Sequence, residues 1–186
     1  MATQTTEAIP PPKALRQNRS QEIVFIDAGI ENYALLAAGV VAGPEVVVIS
    51  VEQDGIEQIT KVLRKRRELT CIHLVCLGSI GQLQLGSGLL SLNSLERYVW
   101  DLAIWSNALS ANAELLIYGS EVAKGIRGEE FINYLGQVIE IPIAASCSKT
   151  GSSALAGNWD LEYSTLPCTT SIAFNQQTIS QYGHLL

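Results

Sequence analysis

From residue 22 onward the chain alternates two kinds of apolar pattern. Short continuous runs rich in β-branched residues occur at Glu22–Asp27 (EIVFID), Glu45–Val51 (EVVVISV), Cys71–Leu77 (CIHLVCL), Glu114–Tyr118 (ELLIY) and Ile141–Ser146. These read as strands. Between them apolar residues return at spacings of three and four, which predicts helices. A short helix over about Glu31–Ala38 is broken by Gly39, Gly43 and Pro44. A second opens on Asp54 as its cap and carries Ile56, Ile59 and Leu63 on one stripe. A long helix spans about Ser94–Leu109, with Leu95, Tyr98, Val99, Leu102, Trp105 and Leu109 inward. Another covers Gly128–Ile139, with Phe131, Leu135 and Val138 inward. Gln82–Leu90 reads as a small hairpin around Gly86 and Gly88, and Asn158–Tyr163 as an edge strand. The alternation predicts an α/β fold: a mostly parallel sheet with helices on both faces, three layers in all. The continuously apolar Cys71–Leu77 run suits a central strand covered on both sides.

The two ends differ from this pattern. Residues 1–20 are polar, carry Pro10-Pro11-Pro12 and hold Lys13, Arg16 and Arg19. They predict an extended arm, either a passive leader or a segment that orders on a partner. The tail from Thr170 carries Ile172, Phe174, Ile179, Tyr182 and Leu185, too apolar for a linker. The predicted organisation is an arm (1–20), an α/β domain (21–165) and an extension (166–186) that packs on the domain or on a partner.

Composition supports a real core and narrows the partners. Of 186 residues, 47% are apolar and 16% charged, with a net charge of −6. That balance argues against a nucleic-acid partner. No apolar run is long enough to span a bilayer, and the first twenty residues lack the apolar core of a secretory signal. Cytoplasmic residence is therefore expected.

The strand ends are where an open parallel sheet gathers its ligands and chemistry. Two apolar runs stop at glycine there, placing Leu77-Gly78-Ser79 and Gly119-Ser120 side by side. The two turns offer backbone N–H groups able to hold an anion or a peptide carbonyl. Neither Leu77 nor Ser120 activates a partner by itself. His73 lies about 13 Å before Leu77 along the strand, at the usual rise, and reads as a satisfied core histidine. His184 is in the tail, where folding over the strand ends would bring it near. The cysteines Cys71, Cys76, Cys147 and Cys168 match no zinc spacing. They read as reduced and structural, with a Cys147–Cys168 disulfide as the alternative; Cys147, just after a strand, is the thiol to test for reactivity. Lys61, Arg64, Lys65, Arg66 and Arg67 end the second helix, either as a solvated face complementing its dipole or as an anionic docking patch. The turn Asp27-Ala28-Gly29-Ile30-Glu31 lacks a glycine fingerprint, which disfavours a nucleotide site. No cofactor or metal site is expected.

Several segments together resemble the DUF4347 domain, known chiefly from cyanobacteria and often found in large secreted or surface proteins. They include Ile23–Asp27, Asp54–Ile59, Ile72–Ser79, Leu83–Gly86, Tyr98–Trp105, Leu116–Ala123, Ile143–Ser146, Thr150-Gly151, Gly157–Glu162 and the tail from Ala173. The likeness covers nearly everything after residue 22. It implies a fold similar to the caspase-like cysteine peptidases, in which the third strand ends in Ser-His-Gly and the fourth in Gly-Cys. The chemistry needs both side chains, since the imidazole takes the proton of the attacking thiol. Here the matching positions are Leu77 and Ser120.

Two losses at complementary positions imply a domain without catalysis, used as a protein-binding or scaffold module, with the framework intact beside the missing dyad. The resemblance also suggests an accessory subunit of a larger assembly, or, alternatively, a module of a surface protein. Gly78, Ser79, Gly119, Ser120, Lys61, Arg64 and Arg67 are the candidate binding residues. The competing readings are a residual hydrolase using Ser120 or Cys147, and a small-ligand pocket in the old cleft.

Overall fold

The computed structural model describes residues 21–186; the proline-containing arm, residues 1–20, lies outside the described residues. In chain order the elements are β1 (Glu22–Asp27), α1 (Tyr33–Ala38), β2 (Glu45–Ile49), α2 (Gly55–Leu63), β3 (Leu69–Val75), β4 (Leu77–Ser79), β5 (Gln82–Leu85) and β6 (Gly88–Ser91). They continue with a 3-10 turn (Leu95–Tyr98), α3 (Val99–Ala108), β7 (Leu109–Tyr118), α4 (Gly125–Ile139), β8 (Ile143–Ala145), a second 3-10 turn (Ser153–Leu155), β9 (Tyr163–Ser164) and α5 (Gln176–Gln181).

The main sheet has the order β2-β1-β3-β7-β8-β9. Every pairing in it is parallel except the last, where Ala144 faces Ser164 and Ala145 faces Tyr163 in antiparallel register. β3 lies between β1 and β7, with Val24, His73 and Leu116 in one row. Its apolar run has no solvent-facing side because both faces are covered. On one face α2, α3 and α4 bury Ile56, Ile59, Trp105, Phe131 and Leu135 against Phe25, Leu74 and Ile117. On the other, α1 and the tail bury Leu36, Phe174 and Tyr182 against Val24, Ile26 and Tyr118. This is the three-layer α/β arrangement that the alternating pattern predicts.

Asp54 caps α2 as its position predicts, accepting the N–H groups of Ile56 (2.9 Å) and Glu57 (3.3 Å). Its other oxygen accepts the Tyr98 hydroxyl at 2.7 Å, tying the cap to the start of α3. Thr60, on the inner side of α2, accepts the Trp105 indole N–H at 2.9 Å.

The structure departs from the sequence pattern at several boundaries. The third strand stops at Val75 rather than Leu77. Cys76 still donates its N–H to Tyr118 O (3.1 Å), but Leu77 begins β4 of a separate three-stranded antiparallel sheet, β4-β5-β6. The chain can leave the main sheet there because Gly78 has no side chain: a Cβ on it would sit 2.6 Å from the Gly119 carbonyl carbon. The hairpin turns at Gly86, whose φ of +56° is a left-handed conformation that glycine adopts at low cost. Leu109 is not the last residue of a helix but the first of β7, which is longer than its apolar core. The Asn158–Tyr163 stretch is mostly irregular, and only Tyr163 joins the edge strand. Trp159 instead turns inward against Phe174 and Tyr182.

All four cysteines are free thiols. A Cys147–Cys168 pairing is ruled out by the sheet itself: Cys147 packs on the face with α2–α4, and Cys168 on the opposite face. The tail lies on the domain, with Ala173 O accepting Val41 N–H (2.8 Å) and Gly39 O accepting Asn175 N–H (3.1 Å). Asn175 then caps α5 through the Thr178 N–H at 2.9 Å.

Candidate functional site at the strand ends

Leu77, Gly78, Ser79, Gly119 and Ser120 all lie where β3 and β7 end. The two glycines touch backbone to backbone; a Cβ on Gly119 would stand 3.2 Å from Gly78 Cα and 3.3 Å from Cys76 O. The ends of the strands are thus closed against each other. Leu77 is 41% exposed and contributes no polar group.

Ser120 is held on two sides. Its hydroxyl oxygen accepts the Thr150 N–H at 3.0 Å, and its own N–H donates to Leu186 O at 3.2 Å. The N–H that the sequence offers for an anion is therefore already taken by the main-chain oxygen of Leu186. Neighbouring donors are used in the same way: Glu121 N–H goes to Ser148 O, Ala123 N–H to Ser146 O and Gly81 N–H to Val122 O.

Both histidines are committed elsewhere. His73 is fully buried, with Nδ1 3.0 Å from the Tyr118 hydroxyl and Nε2 3.6 Å from Glu22 Oε2. Burial lowers its pKa, and Glu22 opposes that shift without overcoming it. His184 does cross the strand-end rim, yet its Nδ1 faces Glu31 Oε2 at 3.1 Å.

Cys147 is no better placed as a nucleophile. Its Sγ lies 3.5 Å from Ala123 O. Burial pushes its pKa up, and the charges of Glu162 and Glu129 push it further. A thiol shifted in that direction carries less thiolate, the reactive form. Cys76, beside the strand end, is buried and shifted upward for the same first reason.

The basic residues do not join this site. α2 follows the C-terminal end of β2 and stops before the start of β3, so its basic end lies at the opposite, N-terminal ends of the strands. Arg66 forms a two-pronged pair with Glu45 there. Lys61, Arg64 and Arg67 are exposed, and Arg67 donates to the Arg64 and Arg66 carbonyls. A cavity of about 540 Å³ opens beside the strand ends, lined by Ser79, Gln82, Asn93, Glu121, Arg127 and Glu130. Its floor is polar, and of the five strand-end residues it reaches only Ser79.

Three carboxylates organise the strand ends and the tail without any motif to announce them. Asp27, 3% exposed at the end of β1, accepts Gly29 N–H at 2.7 Å and also the Gly86 N–H, fixing the hairpin to the sheet. Glu162 accepts Cys147 N–H at 2.8 Å and the hydroxyls of Ser146 and Ser148. Glu114 accepts the N–H groups of Thr169 (2.7 Å) and Thr170 (2.8 Å) at the start of the tail. Burial alone would raise both glutamate pKa values, but these donors outweigh it and hold both below the usual carboxylate range. The one available sequence signal is an acid placed directly against an apolar run, as in Asp27 after Ile23–Ile26 and Glu114 before Leu115–Tyr118.

No group of three or more metal-ligating side chains is gathered among the described residues. No helix among them is long and apolar enough to cross a membrane. A comparison with curated protein sequences found no match. The family model described as "Domain of unknown function (DUF4347)" matches residues 23–186, and the chain belongs to that family.

Proposed function

We propose that this chain is a non-catalytic protein-binding or scaffold module, built on a caspase-like domain that has lost its dyad, and that it serves as an accessory component of a larger assembly. The observation that carries this reading is the condition of Ser120. Its hydroxyl is engaged as an acceptor by Thr150 N–H, and its N–H by Leu186 O. A serine needs an adjacent base to attack a carbonyl. The position matching the family's histidine is Leu77, and both histidines of the chain are paired with other residues. Cys147 has its pKa raised rather than lowered. Four unpaired thiols suit a reducing compartment, so the cytoplasm is the proposed location.

Two measurements test the proposal. A fluorophosphonate probe and iodoacetamide should give no labelling of Ser120 or Cys147 that depends on the native fold. Selective labelling of either residue, lost on heat denaturation, would restore the hydrolase reading. The binding half fails if the purified protein stays monomeric and retains nothing from a lysate of its native cells.

A further inference from the structure

The last residues of the tail lie across the strand ends as a bound peptide would. Leu186 N–H donates to Thr150 O at 2.9 Å, and Leu186 O accepts Ser120 N–H at 3.2 Å. His184 O accepts Ser152 N–H at 2.8 Å, and Leu185 bridges Gly151 in antiparallel register. Tyr182 and Leu186 anchor the two ends in the core, at 1% and 4% exposure. Recognition through the main chain, with side-chain anchors at intervals, is how extended segments are captured at a strand edge.

The receiving surface is shaped for this occupant. Gly151 has φ +129°, and a Cβ on it would lie 2.3 Å from His184 O. A Cβ on Gly157 would lie 2.7 Å from Leu185 Cδ2. Two glycines thus leave room where the tail passes, one beneath its backbone and one beneath its side chain.

We propose that Ser120 and Thr150–Ser152, with Gly157 beneath, form a peptide-binding seat. Tyr182–Leu186 is its built-in occupant, and an extended partner segment of the same chemistry exchanges with it: an aromatic anchor, a glycine, and two aliphatic residues two positions on. This rests on the reading of the domain as a protein-binding module and names the surface it uses. The tethered tail competes at an effective concentration in the millimolar range, so the seat is closed until the tail is displaced.

The test uses the full chain and a fluorescent peptide of sequence Gln-Tyr-Gly-His-Leu-Leu. In the double variant Leu185→Asp, Leu186→Asp, burying charge expels the tail end. This variant should bind the peptide at least about 100-fold more tightly than the unaltered protein, whose own tail competes. Adding Gly157→Ala should weaken that binding at least tenfold. A folded double variant that ignores the peptide overturns the inference. Should the variant fail to fold, amide hydrogen exchange on the unaltered protein decides. Exchange of Ser120, Ser152 and Leu186 through local opening, faster than Ile72 and Leu74 of β3, supports a seat that opens; exchange only on global unfolding overturns it. Failure here leaves the binding-module reading intact if the unaltered protein still assembles with partners, whereas probe labelling of Ser120 removes that reading itself.

Discussion

His73 and Tyr118 share a hydrogen bond of 3.0 Å in the interior of the sheet, on the face beneath the tail. The Tyr118 hydroxyl also accepts the Ala173 N–H at 3.2 Å, and burial favours the neutral form of the imidazole. This histidine is a structural link between the central strands and the tail, inside β3 and two residues before its last residue, Val75.

Replacing Tyr118 by Phe leaves the shape almost unchanged but strands two buried groups, His73 Nδ1 and Ala173 N–H. Each orphaned group costs about 1–3 kcal/mol. Tyr118→Phe is expected to lower unfolding stability by about 2–6 kcal/mol, read from the midpoint of a urea titration. A loss below about 0.5 kcal/mol would mean that the link does not hold the tail to the sheet.

Acid should loosen the tail and the β8 loop through Glu114 and Glu162. Both carboxyls are held below the ordinary glutamate value by hydrogen bonds that outweigh the opposing effect of burial. A depressed folded pKa gives stability that is fully present above the unfolded value, about pH 4.3, and is lost as pH falls through the folded value. Melting temperature is therefore expected to fall steeply below about pH 4.5. Glu114→Gln and Glu162→Gln should each be less stable at pH 7 and show a shallower decline in acid. An unchanged slope in both variants would remove these two groups as its cause.

The fold was readable because its main signals are local. Short β-branched runs and three-four spacing located β1, β3, α2 and α4, and the Asp54 cap followed from one side chain and its two nearest amides. What escaped reading depends on partners distant in sequence. The third strand stops at Val75 because Gly78 meets Gly119, 41 positions away, and no periodicity within Cys71–Leu77 reports that contact. Trp159 leaves the expected edge strand for an aromatic cluster completed by Phe174 and Tyr182. At the strand ends, side-chain identity already showed that Leu77 cannot serve as a base. The occupation of the Ser120 N–H by Leu186 could not be read, since it joins residues 66 positions apart through main-chain atoms alone.

Cys147 gives a chemical check on the same region. Its Sγ is half-buried, and burial followed by Glu162 and Glu129 raises its pKa. Its alkylation by iodoacetamide at pH 7.4 should be slower than that of free glutathione and should accelerate as pH rises past 9. Cys71 and Cys76, both fully buried, should stay unmodified until the protein unfolds. Alkylation of Cys147 faster than glutathione at pH 7.4 would mean an activating group that the geometry does not contain.

Ser120→Ala separates a structural serine from a chemical one. The hydroxyl oxygen is the acceptor for Thr150 N–H, and its removal leaves that amide without a partner beside the tail seat. The expected cost is about 1–2 kcal/mol of stability, the range for an unpaired, partly buried donor. The serine backbone is unchanged in the variant, so its N–H can still hold Leu186 O; on the proposed binding function, association with a partner captured by the parent protein should persist at temperatures where the variant is folded. Stability is read by urea titration, and association by sizing the variant with its captured partner at 15 °C and 25 °C. A variant as stable as the parent would show that the Thr150 contact is not maintained in solution. A folded variant that has lost a measurable hydrolytic activity would make Ser120 a nucleophile, and the base serving it would then have to be found among side chains other than Leu77.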